Sequence, residues 1–279
     1  MDPSSALIVF REVLEAALIV GIVMAGSKGV PGRGLWVGGG ILAGALGACV
    51  VAAFASAIQS AAAGIGQELL NAAILFGAVA MLGWHCVWMG RHGRDIARHM
   101  TAVSREVVQG SRPLYALGVV VGLAVLREGS EVVLFLYGIA AGGGPSALAM
   151  LGGSVVGLLG GAAVGYAIYA GLMRIPMRYL FAVTTWMIIL LAAGMASQGA
   201  GFLVQADVLP ALGRSLWDSS GILSERSLTG KVLHTLVGYD ARPAGIQLLF
   251  YATTLLIIGS LTWILGRPNS PAAPAARAA

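Results

Sequence analysis

Charge is what this sequence has least of. Only 10% of its 279 residues are Asp, Glu, Lys or Arg, against roughly 25% in an average soluble domain. That excludes an ordinary water-soluble globular protein. The net charge of +5 forms no basic stripe with interleaved aromatics, so a nucleic-acid partner is excluded as well. Cysteine is nearly absent. Cys49 and Cys86 stand singly in apolar runs and form no C-x-x-C, which argues against a disulfide framework and a thiolate metal site. Neither the glycine-lysine loop of a nucleotide hydrolase nor an H-E-x-x-H zinc helix occurs, and the expectation is a protein that is not an enzyme. The N-terminal stretch MDPSSALIVF has no positive region and no clear cleavage site, so no removable signal peptide is expected.

Apolar residues and glycine are abundant. The chain is 58% hydrophobic with 41 glycines, and its mean hydropathy is +0.86. A spanning helix needs about 20 apolar residues, and seven runs approach or exceed that: 5–25, 34–58, 69–90, 114–138, 146–170, 179–200 and 245–266. The expected fold is therefore all-α and integral to a membrane, with seven transmembrane helices and the bilayer as principal partner. Positive residues set the orientation. They follow the first run (Lys28, Arg33), the third (Arg91, Arg94, Arg98, Arg105, Arg112) and the fifth (Arg174, Arg178), and they recur in the tail (Arg267, Arg277). None follows the second or fourth. The N-terminus is expected outside and the C-terminus in the cytoplasm.

Two of the runs carry charge in their interior. Arg11-Glu12-Val13-Leu14-Glu15 lies in the first and Arg127-Glu128-Gly129-Ser130-Glu131 in the fourth, 116 positions later. Each charge at mid-membrane costs on the order of 2.5–3.5 kcal/mol on insertion scales, and such residues mark pathways. Residues i and i+3 share a helix face, so Glu12 pairs with Glu15 and Glu128 with Glu131. Each arginine reaches the second glutamate of its own motif or crosses to the other helix. The second helix of each half has a small-residue ridge, Gly40, Gly44, Ala48, Ala52 and Gly153, Gly157, Gly161, Gly165, which permits close helix approach. Gly40 and Gly157 are taken as equivalent, at an offset of 117. Three spans per half make the second copy enter from the opposite side, giving two inverted three-helix repeats plus one helix. The expected layout is repeat one at 1–113, repeat two at 114–200, an external loop at 201–244, the seventh helix at 245–266 and a tail at 267–279. Both motifs are placed in the outer half of the membrane, at depths of roughly 9 and 16 Å. Four carboxylates against two guanidiniums call for a hard or borderline cation such as Mg, Ca, Mn or Fe, or for protons.

With both motifs in place, the chain resembles the oxidase-dependent, high-affinity iron permease family, in particular the bacterial members of Efe-type iron uptake systems. That family carries R-E-x-x-E in its first and fourth helices among seven spans. The resemblance covers nearly the whole chain, including LWDSSGILSERSLTGKVLHTLVGYDARP at 216–243. It implies Glu12, Glu15, Glu128 and Glu131 as metal-binding residues, Arg11 and Arg127 as their support, and Glu68 at the entrance. The family often reads R-E-G-L-E, and the departures here, Val13-Leu14 and Ser130, leave the charged positions intact. Iron, ferrous or ferric, is then the transported substrate, and no organic cofactor is expected. Extracytoplasmic iron-delivery or iron-oxidising proteins are implied as partners. The alternative is a proton-coupled transporter of another divalent cation or small substrate. Asp207, Asp218, Glu225 and Asp240 are read as outer-loop acids that either funnel cations or are simply solvated. His85, His92 and His99 are read as interfacial residues near the inner end of the third helix, or acceptors on exit. His234 is placed outside. Met195 and Gln198 are read as core or pore-lining. Trp84, Trp88, Trp186 and Trp217 are read as interfacial anchors.

Overall fold

The computed structural model describes residues 1–61, 66–142, 146–171, 177–213, 215–224 and 227–265. Helices and connecting turns account for them, with no strand among the described residues. The elements are α1 (Pro3–Gly26), α2 (Arg33–Ala61), α3 (Gln67–Val108), α4 (Tyr115–Ala141), α5 (Ala147–Tyr169), α6 (Met177–Gln205), α7 (Leu228–Val237) and α8 (Gly245–Leu265). Five of them, α2, α3, α5, α6 and α8, contain stretches long and apolar enough to cross a membrane. The 24-residue α1 and 27-residue α4 have the length but carry the charged motifs.

Local chemistry sets the helix ends. Asp2 caps α1 by accepting from Ser5 N at 2.7 Å, and Pro3 at the first position needs no amide partner. Ser227 caps α7 by accepting from Gly230 N at 2.9 Å. Gly238 ends α7 at φ +71°, a left-handed conformation that glycine adopts without Cβ strain.

Two helix pairs carry the most extensive packing: α1 lies along α5, and α4 lies along α2. Backbones nearly touch at the glycine ridges. A Cβ at Gly157 would lie 2.8 Å from Phe10 N, and one at Gly44 would lie 2.9 Å from Leu126 N. Phe10 and Leu126 differ by the 116 positions that separate the motifs, so by these contacts Gly44 corresponds to Gly157, an offset of 113 where the pairing of Gly40 with Gly157 took 117. A ridge repeating every four residues looks the same after a one-turn shift. Only the partner helix fixes the rung.

Three further features differ from the sequence reading. First, α3 does not end near residue 90; it runs on to Val108. Loss of apolarity ends a span but not a helix, and the turn at Gly110 (φ +74°) comes only later. Its extension buries Val103 and Val107, the latter packed with Val23, Val37, Leu117 and Val121. Second, the observed helix ends place both motifs near the middles of their helices. Arg11 begins eight residues after Pro3 and Glu15 ends eleven before Gly26. Arg127 begins twelve after Tyr115 and Glu131 ends ten before Ala141. α1 begins two residues before its apolar run, and α4 runs three residues past its own, to Ala141. Third, the 201–244 segment is not wholly a surface loop. α6 continues to Gln205, and the end of α7 packs closely against α6: a Cβ at Gly194 would lie 2.7 Å from Gly238 Cα. That contact is eleven residues, or about 16 Å, back from the end of α6.

Candidate metal centre

Ile8, Leu75, Leu82, Phe135, Ile188 and Ile189 form a dry core shared by α1, α3, α4 and α6. The charged residues lie beside it, on helix faces that meet. Arg11, Glu12 and Glu15 are 1%, 0% and 2% exposed, and Glu128 is 3% exposed. Glu131 is less deeply buried, and the Arg127 side chain is 34% exposed. Each arginine pairs within its own motif. Arg11 Nη2 is 3.1 Å from Glu15 Oε1, and Nη1 is 3.3 Å from Glu12 Oε1. Arg127 Nε is 3.2 Å from Glu131 Oε1 and 3.9 Å from Glu128 Oε1. Of the two local arrangements open to the sequence, this is the i,i+4 pairing.

The tightest group is not the four glutamates. Glu12, Glu128, Glu131 and His85 each offer one ligand atom, all within 4.8 Å of one another. Glu15 lies at the edge, with Oε1 3.8 Å from His85 Nε2. His85 Nδ1 meets Glu131 Oε2, and the ring stands edge-on to Phe135 with centroids 6.4 Å apart. Several of these buried polar atoms lack a hydrogen-bond partner: Glu12 Oε2, Glu15 Oε2, Glu128 Oε2, His85 Nε2 and Arg11 Nε. Buried polar groups are normally satisfied. So many unsatisfied acceptors facing one another call for a cation. With all four glutamates ionised, Arg11 and Arg127 charged and the imidazole neutral, the cluster sums to −2.

A cavity of about 350 Å³ opens onto this cluster, lined by Met81, Trp84, His85, Trp88, Arg127 and Glu131. The Arg127 guanidinium stacks over Trp88 at 4.0 Å from the ring centroid, and His92 stacks on the same tryptophan at 4.9 Å. Thus the two motifs differ in setting. Arg11 is sealed in the interior, whereas Arg127 stands at a cavity mouth.

Such a buried carboxylate cluster fits ion passage, and comparison with known proteins identifies the ion. Residues 4–266 match the iron permease FTR1 family. The chain belongs to that family. It is similar to the ferrous iron permease EfeU of Yersinia pestis, at 30% identity over 277 residues, 98% of this chain and 96% of the relative. It is also similar to the ferrous iron permease EfeU of Escherichia coli O157:H7, at 31% identity over 244 residues, 85% and 87% of the two chains. No solved structure matches. The permease is therefore a multi-pass membrane transporter, not an enzyme, and iron is its transported substrate.

The remaining residues fall in several places. Glu68 is exposed at the start of α3, seventeen residues and about 25 Å along the helix from His85. Asp207 is exposed. Asp218 is 3.0 Å from Arg242 Nε, and hydrogen bonds from Ser220, with help from Arg242, hold its carboxyl down to about 2. It is an anion already matched by a cation rather than a free element of a funnel. Asp240 accepts from Arg242 N at 2.8 Å, and Glu225 lies outside the described residues. Met195 is buried in the core. Gln198 Nε2 is 3.4 Å from His234 Nε2, which couples α6 to α7 and makes His234 part of the bundle. His92 and His99 are exposed. The interfacial reading of His85 is overturned: it is 2% exposed and central. Placing the end of α3 near residue 90 put His85 near an interface, whereas in the 42-residue helix it sits near the midpoint. Trp88, read as an anchor, lines the cavity beneath Arg127, and Trp84 lines it too while remaining exposed. A histidine within an apolar stretch that otherwise lacks charge was the available signal.

Proposed function

We propose that this permease imports ferrous iron across the cytoplasmic membrane through the cluster of Glu12, Glu15, Glu128 and Glu131. The observation that carries this reading is the set of buried, unsatisfied carboxylate oxygens where α1 and α4 meet. A hydrated cation gives up water on entering the membrane, and carboxylate oxygens replace that shell. Arg11 and Arg127 keep the empty cluster from holding four uncompensated charges. Both relatives named above are called ferrous iron permeases, and this supports the ferrous form as cargo.

The architecture that serves this function is seven spans, α1–α6 and α8, in two inverted three-helix repeats at 1–113 and 114–200. The 201–244 segment lies outside, followed by the seventh helix at 245–266 and a cytoplasmic tail at 267–279. The reciprocal packing of α1 on α5 and α4 on α2, with matched glycine contacts, supports the repeat. Passage then follows from rocking of one repeat against the other about the shared cluster. Glu68, at the outer end of α3 in this orientation, stands at the entrance, and extracytoplasmic iron-delivery or iron-oxidising proteins supply the ion. Proteoliposomes offered ferrous iron, ferric iron or manganese separately test the reading. Ferrous uptake above the other two is expected; proton movement without iron accumulation would favour a proton relay instead.

A further inference from the structure

We propose that His85 is a direct ligand of the transported ion, so that the site is a mixed nitrogen–oxygen set of Glu12, His85, Glu128 and Glu131. The inference rests on the carboxylate-cluster reading and divides the labour within it.

Three observations converge on the imidazole. It is one of four side chains whose donor atoms lie within 4.8 Å of one another. Opposite ligands around a first-row transition ion lie about 4.2 Å apart at bond lengths near 2.1 Å, so the group has the span of a coordination shell, and His85 Nδ1 and Glu131 Oε2, which touch each other, separate to admit the ion. His85 is 2% exposed, and its Nε2 has no hydrogen-bond partner, an arrangement that is costly in a finished core. Finally, its two nitrogens face different groups. Nδ1 contacts Glu131, on the ion side, and Nε2 faces Glu15 at 3.8 Å and Glu12 at 3.9 Å. Ligating histidines commonly direct the other N–H at a carboxylate that fixes tautomer and ring orientation. Glu15, held by Arg11 at 3.1 Å, is placed for that role. At 3.8 Å it needs to close by under an ångström to accept the bond.

The chemical consequence is selectivity. An all-carboxylate cage suits Mg, Ca and Mn, whereas an imidazole favours later, borderline metals such as ferrous iron. His85 thus supplies discrimination against the abundant hard divalent cations, and the glutamates supply charge.

The test uses the full chain in nanodiscs under anaerobic conditions, with ferrous iron, manganese and calcium as probes. Wild-type protein loaded with ferrous iron should show imidazole scattering in its X-ray absorption spectrum. His85→Gln should lose tenfold or more in ferrous affinity with a much smaller change for manganese, and His85→Asp should narrow the preference for iron over calcium. Glu12→Gln and Glu128→Gln should weaken all three ions. If the glutamate variants lose binding while His85→Gln keeps wild-type selectivity, or if the spectrum lacks imidazole scattering, His85 is no ligand though the cluster stands. If the glutamate variants bind normally, the cluster reading itself fails. The wild-type spectrum requires no variant to fold.

Discussion

Replacing Arg11 with methionine should damage the permease more than the same change at Arg127, although the two residues occupy equivalent places in equivalent motifs. Arg11 is 1% exposed and faces Glu15 at 3.1 Å and Glu12 at 3.3 Å. Opposite unit charges at about 3 Å attract by about 5 kcal/mol at an effective dielectric of ~20. Removing one partner of a buried pair typically costs about 3–5 kcal/mol, because the other charge is left without compensation. The Arg127 side chain is 34% exposed, and solvent screens its pairing, so about 1 kcal/mol is expected there. Denaturant titration of purified protein in micelles, followed by tryptophan fluorescence, measures both. Adding Glu15→Gln to Arg11→Met should recover about 1–3 kcal/mol, as expected for residues in direct contact. Equal losses at the two arginines, or strict additivity of Arg11→Met with Glu15→Gln, would refute the sealed-pair argument.

Three other outcomes follow from the packing and the site. Gly161→Val should destabilise by about 1–3 kcal/mol through overpacking, since a Cβ there would lie 2.7 Å from Phe10 O and 3.0 Å from Val13 Cβ; Gly38→Ala, which meets nothing within 4 Å, should be silent in the same unfolding assay. Arg127→Lys should keep expression and lower iron uptake several-fold, because an ammonium lacks the planar fork that spans Glu131 and Trp88; wild-type uptake would reduce Arg127 to a simple counter-charge. Cysteines placed at Asp218 and Arg98 should react with an impermeant reagent in opposite settings, the first in intact cells and the second only after permeabilisation.

The charged motifs were the most legible part of the sequence. Two R-E-x-x-E patterns inside apolar runs announce a polar site, because charge within a membrane helix requires a partner or a pathway. The boundaries of α1, α2, α5 and α8 were also readable to within a few residues, since apolarity and Gly/Pro punctuation end together there. α3 was not readable in this way. Its helix outlasts its hydrophobicity by some eighteen residues, and that single difference hid the central place of His85. The rung at which Gly44 meets Leu126 was equally hidden, because a four-residue ridge is invariant to a one-turn slide. The close approach of Gly238 to Gly194 depends on contacts between distant segments that no local pattern encodes.

Iron uptake and folded-protein yield, measured together for Glu12→Gln, Glu15→Gln, Glu128→Gln and Glu131→Gln, test the central claim most directly. Glutamine keeps the shape but removes the anionic oxygen pair a cation needs. Correctly inserted protein is expected, in lower amount for Glu12→Gln and Glu15→Gln, which each take one carboxylate from Arg11, with ferrous uptake per folded protein in proteoliposomes lost from every variant. Full uptake by a well-expressed variant, or loss of folded protein with normal specific uptake in what remains, would contradict the claim.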